Sequence, residues 1–258
     1  MVVFIFILGI FVGSFLNVVA RRLHRQETFV TGFSKCLFCG HRLHTRDLVP
    51  VLSYIYLRGR CRYCRQPFSV LYPLIELLTG LVFLLIFTTV LPSGDIFALS
   101  GYLAIKIALW WVLAAFLIVI FLYDWKYYLI LDKVVLPAAV IALAGNLFLG
   151  QHLLSLLLGA LAGGGFFLAQ FLVSRGQWIG WGDINLGVLM GLILGWPQIL
   201  TALFVSYMLG SAVSLLLIAL RIKKWKDKIP FGTFLSLGTI IAMLYGPQLV
   251  SWYLALFL

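Results

Sequence analysis

The chain has 258 residues, of which 63% are hydrophobic and only 10% are charged, and its mean hydropathy is +1.10. A soluble domain is about 45–50% apolar and about 25% charged, so this composition excludes an ordinary soluble protein and indicates a polytopic membrane protein. The formal net charge of +11 is compatible either with nucleic-acid binding or with basic loops that orient membrane helices.

Apolar segments of about 20 residues, the length that crosses a bilayer as a helix, recur along the chain. We predict an all-α protein with about eight transmembrane helices, of which the sixth is short. They lie near residues 2–20, 70–91, 98–123, 129–149, 152–173, 184–196, 198–220 and 231–257. The positive charges follow the first segment instead of preceding it, so we interpret this segment as a retained helix and not as a cleavable signal.

The basic residues lie on one side of this predicted topology. With the N-terminus outside, the cytoplasmic segments 21–69 and 221–230 hold ten and five Lys or Arg residues, whereas the opposite loops near 92–97, 150–151 and 197 hold none. This asymmetry follows the positive-inside rule. The basic charge therefore indicates topology and not nucleic-acid binding. Both chain ends are predicted outside, and residues 21–69 are predicted to form a small cytoplasmic domain between the first helix (1–20) and a membrane domain (70–258).

All four cysteines lie in this cytoplasmic segment, in the sequences CLFC (Cys36 and Cys39) and CRYC (Cys61 and Cys64), with 21 residues between the pairs. Two C-x2-C knuckles are typical of a structural Zn²⁺ site with four thiolate ligands. A bound metal would supply folding energy that so small a domain lacks. Two disulfides are the alternative, but they need an oxidising compartment. His41 and His44 could each replace a thiolate.

Four of the eight acidic residues lie in or beside predicted membrane segments. These are Glu76, Asp124, Asp132 and Asp183; the other four, Glu27, Asp47, Asp95 and Asp227, are expected to be solvated. Asp124 ends the third predicted helix and Asp183 begins the sixth, which places both at the cytoplasmic membrane face.

Two carboxylates brought together cannot both ionise, which is the requirement of an aspartic protease. Gly180 and Gly182 have no side chain, so a substrate backbone could approach Asp183 closely. The alternatives are that Asp183 caps a helix and that the membrane acids relay protons in a transporter.

The segment GWGD (Gly180 to Asp183) fits the G-x-G-D motif of intramembrane aspartyl proteases. Three further segments resemble, in the same order, those of the bacterial type IV prepilin peptidases, also called leader peptidase/N-methyltransferases. They are GSFLNVVARRL (13–23), LVPVLSYIYLRGRCRYCRQPFSVLYPLIELLTG (48–80) and IPFGTFLSLG (229–238). The resemblance covers nearly the whole chain.

The resemblance implies an intramembrane aspartyl endopeptidase of the bacterial inner membrane, acting in type IV pilus or type II secretion assembly. It would remove the basic leader from prepilins or pseudopilins at a Gly–Phe-type bond, and then methylate the new N-terminus from S-adenosylmethionine. It assigns the catalytic carboxylates to Asp124 and Asp183, the zinc ligands to the four cysteines, and a non-catalytic position to Asp132. Motif positions fall on Gly180, Gly182, Pro230 and Gly232, and methyl transfer is linked to Gly59, Arg60 and Glu76.

The sequence departs from the family pattern at three positions. His24 and Leu131 replace prolines, and Asn185 replaces a lysine that follows the second catalytic aspartate by two residues. None of these changes removes a carboxylate. A zinc-knuckle transporter with a proton relay and a secretion-assembly scaffold without chemistry are the competing functions, and replacing Asp183 with Asn in a leader-removal assay separates all three.

Overall fold

The computed structural model describes residues 1–28, 32–92, 99–224 and 227–255, and within these ranges the chain is helical. The prediction of an all-α protein is confirmed, since the extended pairing in this part of the chain is limited to two isolated bridges, Lys35–Arg42 and Arg60–Pro67. Some predictions fall outside the described residues: those for Asp95, for residue 98 at the start of the third predicted segment, and for residues 256–257 at the end of the eighth.

The helices of the described residues are α1 (Val2–His24), a 3-10 turn (Thr45–Asp47), α2 (Leu52–Tyr56), α3 (Leu71–Val90), α4 (Gly101–Tyr127), α5 (Asp132–Phe148), α6 (Leu153–Ser174), α7 (Trp181–Leu194), α8 (Gln198–Ala219) and α9 (Phe231–Ala255).

The eight longer helices coincide with the eight predicted membrane segments. Six of them, α1, α3, α4, α6, α8 and α9, are long and apolar enough to cross a bilayer, so the chain is a multi-pass membrane protein. Helices α5 and α7 have only 17 and 14 residues, and eight complete spans therefore remain a prediction. The observed bounds move both candidate aspartates into helices: α4 continues past Asp124 to Tyr127, and α7 begins two residues before Asp183.

Residues 1–99 form one compact unit, in which α1 packs on α3. Small residues allow membrane helices to approach closely, and here a Cβ atom added to Gly9 would lie 2.7 Å from the Cα atom of Gly80. A Cβ atom added to Gly13 would lie 2.8 Å from the Cα atom of Glu76. The glycines of α1 thus hold the buried acid of α3 against the neighbouring helix.

Residues 100–258 form the second compact unit, and α7 is packed among α5, α6, α8 and α9. The closest contact is with α6, where Gly159 and Gly163 face Gly187 and Gly191. A Cβ atom at Gly163 would overlap the carbonyl oxygen of Gly187, and one at Gly191 would overlap that of Gly159. This glycine-lined interface lets the short α7 lie deep in the unit.

The C-terminal end of α7 is closed by a side chain from α5. The last carbonyls of a helix have no partner within the helix, and the amide nitrogen of buried Asn146 donates to the carbonyl oxygens of Leu192 (2.8 Å) and Ile193 (3.1 Å). Asn146 therefore allows α7 to end among packed helices without leaving these carbonyls unsatisfied.

Candidate active site and zinc centre

Asp124 lies in the last turn of α4 and is only 4% exposed. Its Oδ2 atom accepts a hydrogen bond of 2.9 Å from the amide of Thr233 in the first turn of α9. The Thr233 hydroxyl in turn donates to the carbonyl oxygen of Pro230 at 2.6 Å. The unpaired amides and the dipole at a helix start attract negative charge, so the start of α9 orients the carboxylate of Asp124.

Asp183 lies in the first turn of α7 and is 9% exposed. Its Oδ2 atom accepts a hydrogen bond of 2.9 Å from the amide of Gly180, the residue that precedes the helix. A carboxylate three residues into a helix that bonds back to the preceding amide is a capping arrangement. The capping role considered from the sequence is therefore present, and it fixes the orientation of Asp183.

The surroundings of the two aspartates share one side chain, that of Ile130. A Cβ atom added to Gly182 would lie 2.8 Å from the Cβ atom of Ile130, and one added to Gly232 would lie 2.8 Å from its Cδ1 atom. The same added atom at Gly232 would lie 3.0 Å from Oδ2 of Asp124. The structure thus brings the start of α7, the start of α9 and the end of α4 around a single point.

The motif residues have different physical roles. Glycine is required at positions 182 and 232, because Ile130 lies too close to both for a Cβ atom. A Cβ atom at Gly180 would instead meet only Oδ2 of Asp183 at 3.7 Å, which is an ordinary contact. Gly180 contributes its amide, and Pro230 contributes the carbonyl oxygen that holds Thr233.

Two residues of this site, Thr233 and Ile130, were missed by sequence reasoning, as was the contact that Asn185 makes. Thr233 could have been found, because a proline before an apolar run marks a helix start whose first amides need acceptors. Ile130 could not have been found, because nothing distinguishes one isoleucine from the many other apolar residues of the chain. Asn185 donates its side-chain amide to Oδ1 of the exposed Asp132 at 2.8 Å, so the residue that stands in place of the family lysine holds the first residue of α5.

The four cysteines lie in two loops with the same hydrogen bonds. In the first loop the amide of Cys36 bonds to His41 O (2.9 Å) and that of Gly40 to Cys36 O (3.0 Å). In the second loop the amide of Cys61 bonds to Gln66 O (2.9 Å) and that of Arg65 to Cys61 O (3.0 Å). Two loops of the same conformation therefore present their thiols to one point.

The four sulfur atoms, those of Cys36, Cys39, Cys61 and Cys64, lie within 4.8 Å of one another, and all four are free thiols. Thiolates on a tetrahedral Zn²⁺ ion at about 2.3 Å are separated by about 3.8 Å, so this cluster fits the ion. The disulfide alternative is not what the structure contains. His41 stacks instead on the ring of Tyr63, with 3.7 Å between ring centroids, and His44 is outside the sulfur cluster.

The expectation that Asp47 is solvated is wrong, because its side chain is only 2% exposed. It accepts hydrogen bonds from Arg62 Nε (2.6 Å), the Tyr63 hydroxyl (3.1 Å) and the His44 amide (3.2 Å). Burial alone would raise the pKa of Asp47, but the bonds from Arg62, His44 and Tyr63 hold it below its ordinary value. Since Arg62 and Tyr63 lie between the second pair of cysteines, Asp47 ties that loop to the 3-10 turn.

Two of the three residues that the resemblance links to methyl transfer line a cavity of about 130 Å³ in the first unit, and the third contacts a lining residue. Arg60 and Glu76 line it directly, and Glu76 is buried with its Oε2 atom accepting the amide of Val51 at 2.7 Å. Gly59 acts through Tyr54, another lining residue, because a Cβ atom at Gly59 would lie 2.8 Å from the Tyr54 hydroxyl oxygen. Tyr54 also donates to the carbonyl oxygen of Phe68 at 3.3 Å.

Comparison with known proteins gives two family matches. Residues 7–90 match the Bacterial Peptidase A24 N-terminal domain, and residues 111–215 match the Type IV leader peptidase family. Among curated proteins, the prepilin leader peptidase/N-methyltransferase of Aeromonas hydrophila is 31% identical, over 98% of this chain and 94% of that protein. Proteins of the same name from Burkholderia pseudomallei (strain 1026b) and Pseudomonas putida are 33% and 31% identical, over 94% and 95% of this chain and 85% and 91% of their own lengths. No solved structure matches the chain.

Proposed function

The chain belongs to the type IV leader peptidase family, and from that premise we propose that it removes the leader from prepilins or pseudopilins and then methylates the new N-terminal amine. The observation that carries the proposal is the pair of buried carboxylates, Asp124 and Asp183, each held by the backbone amide at a helix start. A capping role explains the position of Asp183, but it does not explain why a second buried carboxylate, Asp124, lies beside the same Ile130 side chain.

The pair acts as one unit in which one carboxylate is ionised and the other protonated. The ionised member takes a proton from water as the water oxygen attacks the scissile carbonyl carbon. The protonated member gives its proton to the carbonyl oxygen. Collapse of the resulting tetrahedral intermediate breaks the C–N bond. The carboxyl that took the water proton gives it to the leaving amine of the mature pilin, and a hydroxyl of the intermediate returns a proton to the other carboxylate, which restores the pair.

The absence of side chains at Gly182 and Gly232 supports this assignment. Each glycine lies beside one of the aspartates and lets the start of its helix pack closely against Ile130, which brings the starts of α7 and α9 together next to the two carboxylates. The substrate we propose is a pilin whose apolar helix lies in the bilayer and whose basic leader extends to the cytoplasm.

The asymmetry of basic charge in the loops supports an inner-membrane protein with both ends outside and the cysteine loops in the cytoplasm.

We assign a single structural Zn²⁺ ion to Cys36, Cys39, Cys61 and Cys64. Four thiolates leave no open coordination position, and the ion supplies folding energy to the small domain. We expect it to be unnecessary for the cleavage step itself.

For methyl transfer we assign S-adenosylmethionine, which supplies the methyl group, to the cavity lined by Arg60 and Glu76. The buried carboxylate of Glu76 offers a partner for a cationic group, and Tyr54, Phe68 and Tyr72 offer aromatic surface. Gly59 keeps Tyr54 in place. The carboxylate of Glu76 matches the positive centre of this ligand, and the aromatic side chains match its planar base.

The test is leader removal from a purified prepilin by Asp124→Asn and Asp183→Asn variants. Either change is expected to reduce cleavage by several orders of magnitude, because members of a catalytic unit cannot replace one another. Asp132→Asn is the matched control and should cost much less. A transporter would need Asp132 as much as Asp183. If both dyad variants fold and still remove the leader, the peptidase proposal is wrong.

A further inference from the structure

Helix α2 presents an apolar face to the outside of the first compact unit. The side chains of Leu52, Ile55 and Tyr56 are 66%, 65% and 77% exposed, and the helix carries no charged residue. Its other two residues, Ser53 and Tyr54, line the cavity of about 130 Å³ described above. One side of α2 therefore faces the cavity, and the other side exposes three large side chains. Exposed apolar clusters of this kind mark sites of interaction.

The contacts between α1 and α3 fix the depth of α2 in this unit. The two long helices are antiparallel: a Cβ atom added to Gly13 would lie 2.8 Å from the Cα atom of Glu76, and the side-chain amide of Asn17 donates to the carbonyl oxygen of Tyr72 at 3.2 Å. Glu76 in turn accepts the amide of Val51, the residue before α2, at 2.7 Å. The start of α2 is therefore tied to the level of Gly13 on α1.

This level lies within the apolar part of α1. The first charged residue of the chain is Arg21, eight positions after Gly13. Those eight residues span about 12 Å of helix at a rise of about 1.5 Å each, and a glutamate side chain with one hydrogen bond spans less. Basic residues at the end of a membrane helix mark the interface with water. The start of α2 is therefore closer to the centre of the bilayer than Arg21.

We infer that α2 is an interfacial helix, whose apolar face of Leu52, Ile55 and Tyr56 lies among the lipid acyl chains of the leaflet next to the cysteine loops. The neighbouring surface indicates a lipid partner. Phe15 of α1 and Leu74 of α3 lie between the two contacts that join these helices, and both are exposed on helices long and apolar enough to cross a bilayer. The inference depends on α1 and α3 crossing the bilayer and not on the proposed activity.

The chain after α2 fits a return from the leaflet to water. Tyrosine is enriched at membrane–water interfaces, and Tyr56 is the last residue of the helix. Arg58 is the next charged residue and is exposed, so its long side chain can reach the lipid headgroups. Part of the segment predicted to be cytoplasmic, 21–69, thus enters the bilayer, and α2 separates the cavity from the lipid.

The experiment replaces Ile55 with a fluorescent amino acid in the full chain, which is reconstituted in phosphatidylcholine vesicles. The vesicles carry a nitroxide label either near the top of the acyl chains or near their ends, and iodide on both sides of the membrane is the water-soluble quencher. Because an interfacial helix lies just below the headgroups, the probe should lose more fluorescence to the shallow nitroxide than to the deep one. Iodide should quench it little.

The same probe at Arg65, an exposed residue of the second cysteine loop, is the matched control and should be quenched by iodide and not by the labelled lipids. Thermal unfolding verifies that each variant is folded, and a probe at Tyr56 decides the question if the variant at Ile55 does not fold. Quenching of the α2 probe mainly by iodide would place the helix in water. Loss of fluorescence to neither quencher would show that protein covers it. Either result, or a greater loss to the deep nitroxide, overturns the inference.

Discussion

Replacing Gly232 by alanine is expected to impair cleavage without unfolding the protein. The added Cβ atom would lie 3.0 Å from Oδ2 and 3.1 Å from Cγ of Asp124, and 2.8 Å from Cδ1 of Ile130. The Ile130 atom is the end of a side chain and can shift. The Asp124 carboxylate is held by the 2.9 Å bond from Thr233, so moving it by a few tenths of an ångström weakens that bond.

The size of the effect follows from these contacts. A hydrogen bond to a charged group contributes about 1.5–3 kcal/mol, and a displacement of about 1 Å in a catalytic group can cost about 100-fold in rate. For the smaller displacement here we expect kcat/KM for leader removal to fall by about 10- to 100-fold, which equals about 1.4–2.7 kcal/mol. Stability should not fall in parallel, because alanine is the better helix former.

Gly246→Ala is the control for this variant, since it makes the same change in the same helix where the nearest atom, Gln198 Cγ, is 3.8 Å away. Gly180→Ala should also be mild, because its added atom would meet Asp183 Oδ2 at 3.7 Å. The assay follows leader removal by gel mobility over time, with thermal unfolding of each variant alongside. If Gly232→Ala cleaves at the wild-type rate while folded, the proposed role of the α9 start in orienting Asp124 is refuted.

Three further predictions concern other parts of the molecule. Metal analysis of purified protein should find about one Zn²⁺ per chain, and Cys61→Ser should lower that content; a metal-free wild type would contradict the assignment. Arg60→Ala should abolish methylation of a cleaved pilin while leader removal continues, and intact methylation would remove Arg60 from the site. Asp47→Ala should lower the zinc content of the purified protein, because it leaves Arg62 and Tyr63 without their acceptor; unchanged zinc retention would show that this contact is dispensable.

Much of this architecture could be predicted from the sequence because its signals are local. Runs of apolar residues gave all eight longer helices at about the correct positions, and the C-x2-C spacing indicated the sulfur cluster. These patterns depend on neighbouring residues and on fixed periodicities. The same reasoning could not decide whether α5 and α7 cross the bilayer, because their 17 and 14 residues are short for a span.

The contacts that build the site were out of reach because they join distant segments. Thr233 and Asp124 are 109 residues apart, and Asn185 and Asp132 are 53 residues apart. Hydropathy and spacing do not specify which side chains meet across such separations. Asp47 shows the same limit, since an acid in a basic loop has the pattern of a solvated residue until Arg62 is folded against it.

The two glycine motifs lie on two sides of one site. In the sequence, GWGD and PFG are separated by about 50 residues and look like independent signatures. In the structure each motif starts a helix, each start contributes one amide that holds a carboxylate, and each contributes one glycine that faces Ile130. Glycine at positions 182 and 232 lets both helix starts pack against the same Ile130 side chain, which brings the two amide-held carboxylates into one site.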